Sequence, residues 1–323
     1  MMRRSRNLLS MVVALVVATA VATSASAAPP DKLKQFKVPT SGSSPEHIIR
    51  ASDGNFWFTE SFVGNTNGLA DHNIGRITPA GQVTEFTACN QCFPTDLVQG
   101  SDGDIYFTKN DAPLGRMSIT GQSKPDVGDP FAFNGNGLAV DGDNIWISDF
   151  NNAIMHRYNV GTGAFTSFTI PAPTLDVTVD HATGTVWFTQ LDNNIGRLNP
   201  STGVVTEVPL ASEAREINIA TDGFVWFTDR FASQVGRINP ATNAVTTFAV
   251  GGGPEDIAPT AGGAMWFTRT TTGDIQMISP AGVITNSSKA VKGTEPTGIT
   301  VAPNGNPWFT MLAADKIATL QLA

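Results

Sequence analysis

Histidine and carboxylate side chains are the residues of this chain best suited to chemistry. The sequence has only four histidines, and two of them, His47 and His72, lie among acidic residues early in the chain. A histidine whose pKa is near neutrality can act as a general base, and hard carboxylate oxygens suit Mg²⁺ or Ca²⁺. We therefore predict His47 and His72 as catalytic candidates, and Glu60 and Asp71 as candidate ligands of a metal ion.

Other motifs that carry chemistry are absent from the sequence. It contains no G-x-S-x-G nucleophile elbow, no H-E-x-x-H zinc motif and no phosphate-binding glycine loop. Its two cysteines, Cys89 and Cys92, are separated by two residues. In an oxidising compartment this spacing favours a local disulfide, and a redox-active dithiol is the alternative. A zinc site would need a second pair of ligands that the chain lacks.

The N-terminal residues have the features of an export signal. Three arginines precede an apolar run over 8–21, and Ala25-Ser26-Ala27 has the small residues that signal peptidase recognises. The run is shorter than the ~20 apolar residues of a membrane span, and no second such run follows. We predict a signal peptide over 1–27, exported by the Sec or the twin-arginine route, and one folded domain over 28–323.

Export and charge together restrict the expected partners. The mature protein is expected to be secreted or periplasmic, without a membrane span. Loss of the signal peptide removes three arginines and no acids, so the formal net charge of −8 becomes three units more negative. Nucleic-acid recognition needs a basic face, which excludes nucleic acid as a partner. We expect a monomer that binds a small molecule, a glycan or a protein.

A repeated phrase indicates which elements must position these residues. Its core is Trp-Phe-Thr, and its aromatic anchors recur at spacings of 49, 40, 41, 39, 40 and 42 residues. All six tryptophans are anchors, and a tyrosine occupies the remaining slot. Repeats of about 40 residues rich in β-branched and aromatic residues are typical of propeller blades. The anchors are Trp57, Tyr106, Trp146, Trp187, Trp226, Trp266 and Trp308.

Each repeat contains four short β-like runs separated by turn residues. In the fifth repeat, an apolar run over 217–220 ends at Asp222-Gly223, a dipeptide that favours tight turns. The anchor run follows, and the third run is closed by Asn239-Pro240, where proline cannot continue a ladder. The sequence therefore predicts an all-β fold, a seven-bladed β-propeller of four-stranded antiparallel blades.

The chain ends indicate how the propeller closes. The seventh repeat stops after its third run, over 316–320, and an orphan segment over 34–38 resembles the fourth run of a repeat, as in Val83-Thr84-Glu85-Phe86. We predict that the N-terminal strand completes the last blade. This pairing covers strand edges that would otherwise be exposed.

One face of the predicted disc collects the candidate ligand-binding residues. Because strand direction alternates within a blade, loops before each first strand share a face with loops after each second strand. Polar residues vary there while the scaffold repeats, as expected of a binding surface, although a single acid can instead cap a turn. The predicted ligand-binding residues are Glu46, Asp96, Asp149, Asp176, Glu216, Asp229, Asp256 and Arg269.

The first repeat carries an insertion on this face. Its anchor Trp57 precedes Gly75 by 18 residues, against 10 and 9 residues for the matching pairs in repeats five and four. The Gly/Asn-rich segment 61–72 is expected to overhang the central opening, with decoration as the alternative. Only this repeat brings two histidines to the same face as a strand-end glutamate.

The scaffold phrases resemble those of a known family. Trp57-Phe58-Thr59-Glu60, Ile74-Gly75-Arg76-Ile77-Thr78-Pro79-Ala80-Gly81 and Val83-Thr84-Glu85-Phe86 are similar to phrases of the virginiamycin B lyase (streptogramin lyase) family. The resemblance covers essentially the whole mature chain. It implies a propeller fold and a Mg²⁺-dependent elimination that opens a cyclic depsipeptide antibiotic, with a histidine as base.

At the residues that carry activity, the resemblance is partial. His47 matches a family histidine before a first strand and Glu60 matches a family glutamate, but Phe62 occupies the position of a second histidine. Arg269 replaces the acid of the sixth repeat. We therefore expect a binding propeller with an acidic axial face, and a Mg²⁺-dependent lyase is the alternative. Sugar-lactone hydrolysis, known from calcium-dependent six-bladed propellers, is disfavoured by the blade count.

Overall fold

The fold was obtained as a computed structural model that describes residues 20–21, 32–61, 71–90, 92–109, 114–127, 135–288 and 291–322. Most of the predicted signal peptide, and residues 62–70 of the predicted insertion, lie outside the described residues. Seven four-stranded antiparallel sheets account for nearly all of the regular structure within these ranges. Two strands precede the first blade, β1 (Ala20–Val21) and β2 (Lys32–Lys37).

Blades one to four take their strands in chain order. Blade one contains β3 (Pro45–Arg50), β4 (Phe56–Glu60), β5 (Asp71–Ile77) and β6 (Val83–Asn90). Blade two contains β7 (Leu97–Gln99), β8 (Ile105–Phe107), β9 (Leu114–Met117) and β10 (Ser123–Val127). Blade three contains β11 (Gly135–Asp141), β12 (Asn144–Asp149), β13 (Ile154–Asn159) and β14 (Phe165–Thr169). Blade four contains β15 (Thr174–Asp180), β16 (Thr185–Gln190), β17 (Asn194–Asn199) and β18 (Val204–Pro209).

The last three blades follow the same order. Blade five contains β19 (Ile217–Ile219), β20 (Val225–Asp229), β21 (Gln234–Ile238) and β22 (Val245–Ala249), and β1 adds to β22 in parallel. Blade six contains β23 (Pro254–Pro259), β24 (Met265–Arg269), β25 (Asp274–Ile278) and β26 (Ile284–Ser287). Blade seven contains β27 (Pro296–Val301), β28 (Pro307–Met311) and β29 (Lys316–Gln321).

The fourth strand of blade seven is β2, as the sequence predicts. It pairs antiparallel with β29 from Lys32↔Gln321 to Lys37↔Lys316. The first strands of successive blades contact one another around the molecule, and β27 of blade seven contacts β3 of blade one. The seven-bladed propeller and its closure by the N-terminal strand are therefore confirmed. No helix in the described part of the chain is long and apolar enough to cross a membrane. The 3₁₀ turn Leu312–Ala314 has three residues.

The anchors pack between neighbouring sheets. All seven anchor rings are buried, and each belongs to a hydrophobic cluster that joins two adjacent blades. The glycine of the Gly-Arg pair lies opposite the phenylalanine of Trp-Phe-Thr: a Cβ on Gly75 would lie 2.1 Å from the ring of Phe58. In blade three the smaller Ile147 replaces the phenylalanine, and His156 takes the opposite position. The histidine is thus accommodated where an aromatic ring is missing.

A ring of side-chain hydroxyls joins the blades around the axis. The threonine of each Trp-Phe-Thr phrase accepts a hydrogen bond from a first-strand N–H of its own blade, and serine does so in blade three. Six of these hydroxyls also donate to a first-strand carbonyl of the next blade. In blade two the link to blade three runs through Thr95, whose hydroxyl donates to the carbonyl of Asn136. The hydroxyls are Thr59, Thr108, Ser148, Thr189, Thr228, Thr268 and Thr310.

The hydroxyl of Thr310 closes the ring between the last and first blades, so its removal should lower stability. It accepts from Gly298 N (2.8 Å) and donates to Glu46 O (2.8 Å). We expect Thr310→Val to lower the free energy of unfolding by about 2 kcal/mol, because it leaves the buried Gly298 N–H without a partner and removes one of the two hydroxyls that donate to Glu46 O. Urea denaturation measures this change.

Thr310→Ser is the matched control, since blade three uses serine at this position. It removes one methyl group and should lower the free energy of unfolding by only about 1 kcal/mol. Equal destabilisation by the two substitutions would contradict a bridging role for the hydroxyl.

Candidate functional site

Seven residues at equivalent positions surround the axis of the propeller. Each immediately precedes the first-strand residue that pairs with the phenylalanine of the anchor phrase, or with Ile147 in blade three. Its N–H donates to a hydroxyl of the ring described above. The repeat fixes their backbone, so their side chains are free to differ among blades. We call this set the axial ring: His47, Asp96, Gly137, Asp176, Glu216, Asp256 and Gly298.

A second set of seven residues lies one position earlier in each blade. We call this set the rim: Glu46, Thr95, Asn136, Leu175, Arg215, Glu255 and Thr297. The axial ring and the rim together line a cavity of about 50 Å³, and the axial ring also faces a second cavity of about 230 Å³ that reaches His181 on the opposite side. The ring therefore forms a narrow point on the axis, with the rim at the mouth.

His47 is held by acidic neighbours across the axis. Its Nδ1 lies 2.5 Å from Oδ1 of Asp96 in the next blade, and its Nε2 lies 3.8 Å from Oδ2 of Asp256 in blade six. Burial alone would lower the pKa of His47, but the charge and hydrogen bond of Asp96, with the charges of Asp256 and Asp176, raise it to about 10. The imidazole is therefore protonated at neutral pH.

Three aspartates of the axial ring also join blades in pairs. In blades two, four and six, one carboxylate oxygen accepts a hydrogen bond from a first-strand N–H of the following blade. The bonds run to Asp96 Oδ2 from Leu138 N (2.6 Å), to Asp176 Oδ2 from Ile217 N (2.9 Å) and to Asp256 Oδ2 from Ile299 N (2.7 Å). These carboxylates thus contribute to the scaffold as well as to the charge on the axis.

Two carboxyl groups of the axial ring share a proton. Asp176 and Glu216 hydrogen-bond each other. Burial and the charge of Asp96 raise the pKa of Asp176 to about 7, and burial and the charge of Asp176 raise the pKa of Glu216 well above its ordinary value. At neutral pH this pair consequently retains a proton that a higher pH, or a cation placed beside it, removes.

The rim adds further carboxylates and one strong base. Arg215 Nε lies 2.7 Å from Oε1 of Glu255, and Arg230 from the neighbouring loop lies 3.0 Å from Oε2. Burial raises the pKa of Glu46. Six carboxyl groups but only two basic side chains, His47 and Arg215, line the cavity. The mouth is therefore acidic, with its basic side chains already engaged.

The structure brings five of the eight predicted ligand-binding residues to this cavity and places three elsewhere. Glu46, Asp96, Asp176, Glu216 and Asp256 line it. The other three stabilise loops of their own blades. Asp149 Oδ1 accepts from the backbone N–H groups of Asn151 and Asn152, Asp229 Oδ1 accepts from Ala232 N, and Arg269 pairs with Asp274 and donates to Val250 O.

Glu60 and His72 lie away from the axis, and neither is among the residues that line the axial cavity. Glu60 is fully buried in blade one, and Asn73 Nδ2 donates to its Oε2 at 3.3 Å. Burial and the charge of Glu85 raise the pKa of Glu60 to about 8. The buried ring of His72 packs against Phe93, with centroids 4.4 Å apart. Cys89 and Cys92 form a disulfide beside it.

The predicted Mg²⁺ site at Glu60 and Asp71 stays a prediction. The side chain of Asp71, the second predicted ligand, lies outside the described residues. Within the described ranges, no group of three or more histidine, cysteine, aspartate and glutamate side chains is arranged to hold a metal ion.

Arg215 and the hydroxyl ring were not predicted from the sequence. Arg215 precedes Glu216 directly, so an alignment of the first strands of the seven repeats would have revealed both the rim and the axial ring. The constant threonine of Trp-Phe-Thr carried a further signal. A polar residue repeated inside an apolar phrase indicates a buried hydrogen bond.

The sequence profile of the virginiamycin B lyase family matches residues 26–216 and 211–323. The chain belongs to the virginiamycin B lyase family. Membership covers the whole described propeller and agrees with the resemblance of its scaffold phrases. No match was found among curated protein sequences.

Solved structures of the virginiamycin B lyase family share the fold. Virginiamycin B lyase from Staphylococcus aureus is 25% identical, with a TM-score of 0.79 over 90% of this chain and 99% of that one. A catalytically inactive histidine-to-alanine variant of that enzyme with quinupristin is 26% identical, with a TM-score of 0.78 over the same shares. A streptogramin B lyase is 24% identical, with a TM-score of 0.77 over 90% and 98% of the two chains.

The buried carboxyl group of Glu60 should make stability depend on pH. Its folded pKa of about 8 lies above the value of about 4.5 for an exposed glutamate. Its contribution to the free energy of unfolding is therefore complete below pH 4.5 and is lost as the pH rises through 8. Glutamine mimics the neutral acid at every pH. Glu60→Gln should therefore match the parent near pH 4.5 and exceed its free energy of unfolding by about 4 kcal/mol at pH 8.5.

Urea denaturation at the two pH values tests this expectation. Glu207→Gln, which changes an exposed glutamate on β18, is the control and should leave stability unchanged at both. A Glu60→Gln protein whose stability relative to the parent does not increase between pH 4.5 and pH 8.5 would contradict a raised pKa at Glu60.

Proposed function

We propose that this member of the virginiamycin B lyase family binds a small ligand at the axial mouth through a ligand group that is positively charged or donates hydrogen bonds. The observation that carries the proposal is the composition of the cavity: six carboxyl groups and two basic side chains line it. Both bases are already paired, His47 with Asp96 and Arg215 with Glu255. The other carboxyl groups include Asp176 and Glu216, whose raised pKa values a cation beside them would lower, and this favours a cationic group.

The size of the cavity limits which part of the ligand enters. A volume of about 50 Å³ admits a group of a few atoms, such as an ammonium or a guanidinium, while the rest of the ligand stays on the rim. Carboxylates that accept from such a group form charge-assisted hydrogen bonds, which are stronger than neutral ones. The proposed ligand is therefore an amine or guanidine whose body extends over the outer face.

The protonation state of His47 favours binding without turnover over base catalysis. A general base must be unprotonated at the working pH. Because its pKa is raised to about 10, His47 already carries the proton that a base would have to accept. The features of residues 1–27 further support the proposal that the protein is exported and meets its ligand outside the cytoplasm.

Titration with n-butylammonium chloride by isothermal calorimetry tests the binding proposal. Since Asp176, with a pKa of about 7, is mostly protonated at pH 6 and mostly ionised at pH 8, affinity should rise by about threefold or more between them. Glu46→Gln should weaken binding at pH 8, while Glu207→Gln should not. Equal binding of n-butanol, or affinity that falls as the pH rises, would refute a carboxylate site.

Family membership favours a second candidate, a lyase that opens a cyclic depsipeptide. A relative has been solved with quinupristin bound, which makes quinupristin the appropriate probe. Mass spectrometry after incubation with Mg²⁺ or with EDTA distinguishes the candidates. Binding without turnover predicts that quinupristin stays intact. A linear product that EDTA and His47→Ala both abolish would establish the lyase instead.

A further inference from the structure

In five blades, an arginine of the third strand lies over the anchor ring. The register pairs each arginine with its anchor, and the guanidinium carbon lies 5.1 to 5.8 Å from the ring centroid. This distance is that of a cation–π contact. The arginines cover the anchors at the outer part of each blade. The pairs are Trp57–Arg76, Tyr106–Arg116, Trp146–Arg157, Trp187–Arg197 and Trp226–Arg237.

Blade seven departs from this arrangement and is left uncovered. Its register pairs Trp308 with Thr319, whose hydroxyl donates to Pro307 O at 2.9 Å. In blade six the corresponding residue is Met277, which packs into a hydrophobic cluster with Trp266. Threonine is too short to extend over the anchor as arginine does. A groove of about 290 Å³, lined by Trp308 and Thr319, lies between blades seven and one.

The floor of the groove is aromatic. Trp308 stacks on Phe56 of blade one, with centroids 4.3 Å apart, and on Phe36 of β2 at 5.7 Å. Trp308 is 5% exposed, whereas the other anchors are 0–2% exposed. Trp308 is thus the most exposed of the seven anchors, and the groove gives a ligand access to its ring.

Two cations and several amides form the polar part of the groove. Lys34 and Arg50 line it, and neither takes part in any ion pair among the described residues. Asn304 and Gln321 add amide groups. On an acidic protein, two unpaired cations beside an aromatic floor complement an anion with an apolar body.

We propose that this groove is a binding site for a small organic carboxylate with a planar, apolar body. The Arg50 guanidinium and the Lys34 ammonium bind the carboxylate, and the body packs over Trp308 where the other blades place an arginine side chain. The turns that contribute Gly54, Pro79 and Asn304 lie on the face opposite the axial mouth. The site is therefore separate from the axial cavity and does not depend on its function.

Benzoate is the probe, and the indole N–H signal of Trp308 in a ¹H–¹⁵N NMR spectrum is the readout, assigned by its loss in Trp308→Phe. Millimolar benzoate should shift this signal with saturation. Benzyl alcohol and benzylammonium, which share the ring but not the charge, should bind at least about tenfold more weakly. Absence of a shift, or an equal response to benzylammonium, would overturn the proposal.

Thr319→Arg fills the groove in the manner of the other blades and should abolish the response to benzoate. Arg50→Gln should weaken benzoate binding about tenfold without filling the groove, which keeps the test valid if the arginine variant does not fold. Lys292→Gln, a change of an exposed lysine outside the groove, is the control and should bind benzoate as the parent does. Unchanged binding in Arg50→Gln would contradict the proposal.

Discussion

The structure depends on one constraint: where seven first strands meet at the axis, their buried backbone groups must find hydrogen-bond partners. Innermost strands of a propeller lie side by side without a ladder between blades, so their N–H and C=O groups need other partners. The threonine hydroxyl supplies these partners, because it accepts a hydrogen bond from an N–H of its own blade and donates one to a carbonyl of the next. Trp-Phe-Thr thus has two separate roles: the tryptophan packs blades together and the threonine joins them at the axis.

Because these hydroxyls fix the backbone, the side chains at the axial ring can vary without loss of the fold. The chain uses this freedom to concentrate charge. Three aspartates extend the inter-blade bonding, Asp176 and Glu216 share a proton, and His47 acts as a cation among them. A buried charge is tolerated only when it is paired, and the imidazolium provides that pairing within the protein. Under the proposed binding function, the same pairing keeps His47 protonated, so that it does not act as a base.

The sequence predicted the scaffold better than the site, for physical reasons. Anchor spacing, turn residues and the orphan segment over 34–38 depend on local patterns, and they predicted seven blades and their closure by β2 correctly. Five of the predicted ligand-binding residues line the axial cavity because each lies at, or just before, the start of a first strand. Asp149, Asp229 and Arg269 end second strands, where their side chains bond to neighbouring loops instead. Local sequence does not distinguish these outcomes, nor does it reveal the burial that keeps Glu60 protonated.

Departures from the repeat, rather than the repeat itself, mark where function is proposed: charged residues on the axial ring and a missing arginine over Trp308. The function proposed for the axial cavity depends on the protonation of the His47 imidazole. A long-range ¹H–¹⁵N NMR spectrum at pH 8, with the His47 signal assigned by its loss in His47→Gln, measures this directly. The account predicts protons on both ring nitrogens of His47, lost only as the pH approaches 10. A neutral ring with one unprotonated nitrogen at pH 8 would contradict it.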